Sequence, residues 1–236
     1  MTDHTRRYVE AQHQSWNAAA PTWYADRRPA AELSSLVPAI NHGDRVLDIG
    51  CGNGWASRAM AGRGARVVAL DFTTPFLDEA RAIGGDVEYV ACNVCDADDL
   101  RQLDGRSFDG AFAKDVLMNL PTLDPLIAAL GRVLVKGGWF VFAVVHPAFS
   151  SPFMPPAGRL RRVIRATLAR NRRVDHYLTP SARQWNPGHR GPAYVFHRPI
   201  VALLQPFFDA GFVLDALDES KPAGRRIQLT ARLRLT

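Results

Sequence analysis

The sequence predicts an α/β fold in which seven strands form a mostly parallel sheet with helices on both faces. Two observations predict it. Short, almost wholly apolar runs alternate with helical stretches between residues 45 and 145, as expected for parallel strands that are buried on both faces. A glycine cluster, Gly50-Cys51-Gly52-Asn53-Gly54, follows the first of these runs, at the point where a βαβ unit typically holds a nucleotide.

The helices and strands follow in a regular order along the chain. Residues 1–40 are predicted to form an N-terminal cap of two or three short helices, because Pro21 and Pro29 interrupt a helical pattern. The core spans 41–147, with strands at 45–49, 65–70, 87–91, 108–113 and 139–145 and helical segments at 55–62, 75–81, 98–103 and 123–134. Residues 148–193 are rich in proline and break the alternation, which predicts an inserted lid. Residues 194–236 return to the core, with a helix at 199–210 and strands at 212–217 and 227–235.

The composition excludes several classes of protein. The 236 residues are 47% hydrophobic and 22% charged, which is ordinary for a globular chain and unlike collagen or disordered sequences. The apolar runs are far shorter than the roughly 20 residues that span a bilayer. The first residues lack the apolar core of a signal peptide, so we expect a cytoplasmic protein without a membrane partner. Three cysteines are too few for a disulfide framework, and Cys92-x-x-Cys95 has no second ligand pair, so no metal is predicted.

The glycine cluster and two nearby acids indicate a nucleotide site. Asp48 precedes the cluster, and Asp71 ends the second strand 21 residues after Gly50, where a carboxylate typically accepts hydrogen bonds from ribose hydroxyls. Trp55 occupies the position of the third glycine of a dinucleotide fingerprint, which argues against that class of cofactor. The sequence also lacks the lysine-containing motif of a phosphate-binding P-loop.

These segments together resemble a known family. VLDIGCGNGWASRAMA followed by VVALDFT is similar to the first two motifs of the Rossmann-like (class I) S-adenosylmethionine-dependent methyltransferases, in particular those that act on small molecules. VEYVACNVCD, FDGAFAKDVLMNLP and LVKGGWFVFAVVHP resemble the later strand segments, so the resemblance covers about residues 44–147. It implies S-adenosylmethionine as cofactor, S-adenosylhomocysteine as product and no metal.

The resemblance also assigns residues to the cofactor. It places the loop 50–52 under the methionine part, Asp71 at the ribose, Phe72 beside the adenine, and Lys114 near the methionine group. Asn93 stands where many members have Asp. An aromatic residue of the N-terminal helix often covers the cofactor. The full predicted set is Trp23, Tyr24, Asp48, Gly50, Cys51, Gly52, Asp71, Phe72, Asn93, Val94 and Lys114.

Candidates for the chemistry lie near the end of the fifth strand and in the lid. His146 follows the fifth strand, where the cleft opens, and is interpreted as a base or substrate-orienting group, or else as a structural histidine bonded to the backbone. Asp115 either contacts substrate or caps a helix. The remaining candidates for substrate contact, each with an alternative as a surface or turn residue, are His176, Tyr177 and His197.

The predicted function is methyl transfer to a small molecule. Oxygen is favoured as the acceptor atom because of His146, with nitrogen or carbon left open, and a natural-product intermediate is the expected substrate. Seven arginines between Arg159 and Arg173 form a solvated lid face, an anion-recognising surface or an RNA-binding helix. An RNA methyltransferase is therefore the enzyme alternative. A catalytically inactive cofactor-binding partner protein is the non-enzyme alternative, and the oligomeric state stays open.

Overall fold

The computed structural model describes residues 2–23, 33–149, 177–185, 193–220 and 227–236. Five α-helices lie in these ranges: α1 Asp3–Trp23, α2 Trp55–Ala61, α3 Thr74–Ile83, α4 Asp124–Val133 and α5 Ile200–Asp209. The strands are β1 Arg45–Ile49, β2 Arg66–Asp71, β3 Val87–Ala91, β4 Phe108–Lys114, β5 Leu134–Val145, β6 Ser181–Trp185, β7 Ala193–His197, β8 Phe212–Ser220 and β9 Gln228–Leu235. Short 3₁₀ helices cover Asp99–Leu103 and Leu117–Asn119.

Seven strands form one sheet in the order β3-β2-β1-β4-β5-β9-β8. The pairs among the first five are parallel, whereas β9 runs antiparallel to both β5 and β8. The predicted seven-stranded, mostly parallel sheet is therefore confirmed. Because β1, β2 and β4 are parallel neighbours, the glycine loop after β1, Asp71 at the end of β2 and Lys114 at the end of β4 all lie at the carboxyl edge of the sheet.

The apolar residues of β5 divide between two cores because successive side chains of a strand point to opposite faces. Phe140 and Phe142 pack against Phe207 of α5, with ring centroids 5.4 and 6.0 Å from it. Trp139 and Val141 belong to the cluster on the other face. Such two-sided burial explains why the run reads as continuously apolar.

Helix α1 differs from the expected N-terminal helices. It is one helix of 21 residues that contains Pro21, and residues 24–32, with Pro29, lie outside the described residues. Pro21 lies in the last turn, and the helix extends only two residues beyond it. The N–H that proline lacks therefore affects only the C-terminal end of the helix. The expectation that Pro21 interrupts the helix was wrong because the packing of α1 on α3 and β7 stabilises the whole segment.

The predicted lid is described only in part. Residues 150–176 and 186–192 lie outside the described residues, so the arginine-rich stretch 159–173 is not placed. The ranges 181–185 and 193–197 pair as an antiparallel two-stranded sheet, β6 with β7. This hairpin, which the sequence did not reveal, packs against α1 through β7. The four predicted segment boundaries stay predictions.

Candidate active site

The loop after β1 turns sharply because its glycines adopt left-handed backbone angles. Gly50 has φ +65° and Gly52 has φ +55°, values that residues with a Cβ rarely adopt. A Cβ built on Gly50 would lie 2.4 Å from Cγ2 of Val116, which follows β4 closely in the chain. Glycine at position 50 therefore lets β1 and the segment after β4 approach each other, and it keeps the backbone open towards the edge of the sheet.

The carboxylate of Asp71 fixes this loop from the neighbouring strand. Its Oδ2 accepts a hydrogen bond from the Gly52 N–H at 2.9 Å, and its Oδ1 accepts one from the Thr73 N–H at 2.8 Å. Burial raises the pKa of Asp71, while the two backbone donors oppose that shift. Each carboxylate oxygen can accept a further hydrogen bond, so the pair of hydroxyls of a ribose would find acceptors here.

The side chains of Asp48, near the end of β1, and of Cys51, within the loop, are both buried. The Ser57 hydroxyl donates to Asp48 Oδ2 at 2.5 Å. Burial raises the pKa of Asp48 to about 7, and the nearby charge of Asp71 adds to that rise. Burial also raises the pKa of the Cys51 thiol, so Cys51 is a packed thiol rather than a nucleophile at neutral pH. Asp48 therefore supports the loop from below.

The burial of Asp48 predicts a pH-dependent stability. The folded protein keeps the Asp48 proton up to about pH 7, whereas an unfolded chain loses it near 3.8, so stability falls as pH rises between these values. Asp48→Asn keeps an acceptor for Ser57 and does not titrate. We expect its free energy of unfolding, relative to wild type, to rise by a few kcal/mol between about pH 4 and pH 8 in urea titrations.

Ser57→Ala is the matched comparison for this prediction. The Ser57 hydroxyl stabilises the charged form of Asp48, so its removal extends the pH-dependent loss of stability above pH 7. Parallel stability curves for the wild type and Asp48→Asn would contradict the assignment of this titration to Asp48.

Aromatic side chains of α1 lie against Phe72, which follows β2, and against Phe76 of α3. The His13 and Phe72 rings are 5.4 Å apart, and Trp16 lies 6.3 Å from Phe76. Trp23 packs edge-on against Trp16 at 4.8 Å, and Tyr24 lies outside the described residues. Helix α1 thus forms a wall over Phe72, the residue predicted to lie beside an adenine.

The Asn93 side chain is already partly engaged. Its Oδ1 accepts the Cys95 N–H at 3.1 Å, while its backbone N–H donates to Asp99 at 2.9 Å. Val94 is buried next to it. One lone pair of the Asn93 oxygen stays available, so the predicted contact with an exocyclic amine stays a prediction.

Buried polar atoms without partners mark the same region. Among the described residues, Asn17 Oδ1 and Asn53 Oδ1 are buried and have no hydrogen bond, and the same holds for Ser181 Oγ on β6. Asn53 belongs to the glycine loop, and Asn17 lies on α1. Native proteins seldom leave such atoms unsatisfied. Together with the Asp71 carboxylate, the two asparagine oxygens fit the many polar groups of an adenosyl cofactor.

Lys114, Asp115 and Gln228 form a polar cluster at the end of β4. Lys114 Nζ lies 3.5 Å from Asp115 Oδ2 and donates to Gln228 Oε1 at 3.4 Å. The Gln228 amide donates to Asp115 Oδ1 at 3.4 Å. Asp115 has φ +58°, the left-handed region that is uncommon for residues other than glycine and often marks functional sites. The 3₁₀ helix that follows has Val116 at its N-cap and no side-chain cap, so the carboxylate of Asp115 does not act as a helix cap.

His146 has protein partners at both ring nitrogens. Its Nδ1 accepts the Ala148 N–H at 3.1 Å, so the imidazole proton lies on Nε2, which faces Glu219 Oε1 within hydrogen-bond distance. The ring is buried, whereas the Glu219 side chain is 52% exposed. In this arrangement the imidazole has no free lone pair for an incoming proton.

Two other predicted substrate residues are tied to each other. His197 Nε2 lies 2.7 Å from the Tyr177 carbonyl oxygen, and the Tyr177 hydroxyl accepts the Ile200 N–H at 2.9 Å. Tyr177 therefore caps the start of α5. His176 lies outside the described residues.

Three further residues make contacts that no sequence motif predicted. Gln12, which is buried, donates to the carbonyls of Asn119 and Tyr194 and accepts the Tyr194 N–H, and so joins α1 to β7 and to the turn after β4. Arg198 donates to backbone carbonyls of the same turn. Glu219 is the partner of His146. These contacts join residues far apart in the chain, and no local pattern predicts them.

The two cysteines of the Cys92-x-x-Cys95 pair are buried. Burial raises the pKa of Cys92 to about 12 and that of Cys95 to about 11, so both are thiols at neutral pH. Among the described residues, no three His, Cys, Asp or Glu side chains are placed to hold a metal ion. In the same ranges, no helix has the length and apolarity needed to cross a membrane.

The sheet order and the positions of the glycine loop and Asp71 are those of the class I, S-adenosylmethionine-dependent methyltransferase fold. The family model described as a methyltransferase domain matches residues 47–142. This part of the chain is therefore similar to that family, and the fold is that of class I, as the sequence motifs predicted.

Individual relatives agree with that placement. Ubiquinone biosynthesis O-methyltransferases of Alkalilimnicola ehrlichii and Thiobacillus denitrificans are 29% and 32% identical over 157 and 150 residues. These matches cover 61% and 59% of this chain but only 64% and 61% of the relatives. An S-adenosylmethionine dependent methyltransferase structure from Mesorhizobium loti is 24% identical, with a TM-score of 0.68 over 92% of this chain and 97% of that one. The 1,6-didemethyltoxoflavin-N1-methyltransferase of Burkholderia thailandensis is 20% identical, with a TM-score of 0.54 over 99% and 83%.

Proposed function

We propose that this chain transfers the methyl group of S-adenosylmethionine to a hydroxyl of a small molecule. The observation that carries the proposal is the buried Asp71 carboxylate, which holds the glycine loop and retains acceptor capacity for a ribose. The unpartnered side-chain oxygens of Asn17 and Asn53 support it. S-adenosylmethionine would lie along the loop 50–52 and beside Phe72, with Lys114 towards its methionine group, and would supply an activated methyl group.

The reaction requires alignment more than covalent catalysis. The bond between sulfur and the methyl carbon breaks as a bond from the acceptor oxygen to that carbon forms, and the sulfur keeps the electron pair of the broken bond. The hydroxyl proton needs an acceptor. We assign it to Asp115, whose carboxylate is 39% exposed at the end of β4 and is held by Lys114 and Gln228.

His146 is proposed as an acceptor-orienting residue. Its two nitrogens are engaged by Ala148 and Glu219, which fixes the ring, and it lines a pocket at the end of β5. The alternative role as general base requires that one of these two contacts open. A hydroxylated secondary metabolite stays the proposed acceptor, and the names of the ubiquinone-pathway relatives support an oxygen acceptor without specifying the molecule. The cytoplasmic location stays a prediction.

Turnover with hydroxylated aromatic acceptors tests this function. The protein is incubated with S-adenosylmethionine and a panel of phenols and catechols, each paired with its fully O-methylated analogue. We expect S-adenosylhomocysteine release and a product heavier by one methylene only with free hydroxyls. Asp115→Asn should lower kcat about 10²-fold or more and leave cofactor affinity unchanged.

The same assay includes an arm for each alternative. Purified total RNA replaces the small molecules to test the RNA methyltransferase, whose binding would weaken steeply with salt. Methylation of RNA alone would contradict a small-molecule acceptor. Tight cofactor binding with no turnover on any acceptor would favour the inactive binding protein.

A further inference from the structure

A pocket at the carboxyl end of β5 combines apolar walls with basic side chains. Its polar lining groups are His146, His197 and Arg198, and the rest of its lining is apolar: Leu117, Met118, Val144, Val145, Pro147, Val195, Phe196 and Leu203. Among the described residues, no acidic side chain lines it. The pocket adjoins the 3₁₀ helix Leu117–Asn119, which begins two residues after Asp115.

Arg198 brings a half-buried positive charge to this pocket. Its Nη1 donates to the Leu117 carbonyl at 3.2 Å, and its Nη2 donates to the Leu120 and Pro121 carbonyls at 2.7 and 3.1 Å. The guanidinium lies 5.9 Å from the Phe196 ring centroid. None of the ion pairs within the described ranges includes Arg198.

The guanidinium retains unused donors. Three of its five N–H groups are engaged by the carbonyls, which leaves the Nε hydrogen and one Nη1 hydrogen without a hydrogen bond to a described residue. A buried charge that no opposite charge compensates is costly for folding. Burial lowers the pKa of Arg198, and the nearby acid Asp124 only partly opposes that shift.

The acids near the pocket are committed to other groups. Glu219 pairs with His146 Nε2, outside the pocket lining. Asp115 lies against Lys114 and Gln228. Both imidazoles already have hydrogen-bond partners in the protein, so the unused N–H groups of Arg198 supply the donors for a negative group on an apolar molecule.

We propose that this pocket binds an oxyanion of the methyl acceptor, so that the acceptor is an apolar molecule with a carboxylate or a similar acid group. The proposal rests on the proposed function for the identity of its ligand. Arg198 would supply charge-assisted hydrogen bonds to the anion, and Phe196, Val195 and Met118 would contact the apolar body. The acid group would thereby set which molecules present a hydroxyl to the end of β4.

The experiment compares matched fluorinated probes by ¹⁹F NMR on the full chain saturated with S-adenosylhomocysteine. The probes are 4-fluorophenylacetate, its neutral amide, and 4-fluorobenzylphosphonate as a second oxyanion. We expect both anions to bind about tenfold or more tightly than the amide. Arg198→Met should bring the carboxylate-to-amide ratio close to one. Arg45→Met is the control, because Arg45 stacks on Phe108 at 5.7 Å but lies at the amino end of β1.

The wild-type ratio tests the proposal even if Arg198→Met does not fold. Val195→Phe, which fills the pocket with one larger side chain, should weaken binding of all three probes. Equal affinities for anion and amide, absence of binding, or an unchanged ratio in folded Arg198→Met would overturn the inference. S-adenosylhomocysteine binding without anion preference would leave the proposed function standing. Anion preference without S-adenosylhomocysteine binding would support the pocket and contradict the function.

Discussion

Replacing Asp71 by alanine should weaken S-adenosylhomocysteine binding by about 10- to 100-fold in calorimetric titration. The carboxylate accepts the Gly52 and Thr73 N–H groups, and its loss frees the glycine loop and removes the proposed ribose acceptor. Hydrogen bonds to a charged group contribute about 1.5–3 kcal/mol, which corresponds to this range. The affinity of Asp71→Asn, which retains one acceptor oxygen, should lie between those of Asp71→Ala and wild type.

Asp109→Ala provides a matched control. Asp109 also accepts a backbone N–H, that of Arg45 at 2.8 Å, but it lies near the start of β4, away from the carboxyl edge. We expect its affinity for S-adenosylhomocysteine to equal that of wild type. If a folded Asp71→Ala protein had wild-type affinity, Asp71 would not be part of the cofactor site. If the wild-type protein did not bind S-adenosylhomocysteine, the cofactor proposal itself would be contradicted.

Replacing Gly110 by alanine should lower the melting temperature by about 2–12 °C. Gly110 and Trp139 are register partners on β4 and β5, and a Cβ at position 110 would lie 2.0–2.4 Å from three atoms of the Trp139 indole. The indole is buried, so it cannot move aside without disturbing the core around it. Overpacking of this kind costs about 1–3 kcal/mol, and each kcal/mol shifts the melting temperature of a chain of this size by about 2–4 °C.

Gly131→Ala is the comparison for the Gly110 variant. Gly131 lies exposed within α4, and a Cβ there meets no atom within 4 Å. Alanine in an exposed helix interior is favoured over glycine by about 0.5–1 kcal/mol, so this variant should melt slightly above wild type. If Gly110→Ala had the same melting temperature as wild type, the close packing of Trp139 on β4 would be refuted.

The sheet and the glycine loop were predictable because their causes are local. Parallel strands buried on both faces require apolar residues at nearly every position, as in β1 and β5, so the runs are visible in the sequence. The starts of α3 and α4 were also predictable, since Pro75 and Pro125 lie in first turns, where a backbone N–H has no partner within the helix. Pro21 was misleading, because the local rule that a proline interrupts a helix ignores the tertiary contacts that stabilise α1.

The partners of the polar side chains were not predictable. Gln12 bonds to Tyr194, which is 182 residues away, and His146 pairs with Glu219 across 73 residues. The sequence does not distinguish Arg198 from the other arginines. Only its position beside backbone carbonyls in the folded chain sets it apart. Asp115 had two interpretations, and its left-handed backbone and bond to Gln228 disfavour the helix cap.

By itself the sequence determined the order of the strands of the seven-stranded sheet along the chain, the glycine loop and the acid that follows it, since backbone conformation and burial leave a periodic pattern in residue type. Only the tertiary structure decided which polar groups meet at the carboxyl edge. It fixed the tautomer of His146, the partners of Asp115, and the charge that Arg198 brings to an apolar pocket. Hydrogen-bond partners are chosen by distance and burial, and folding brings together residues that are remote in the chain.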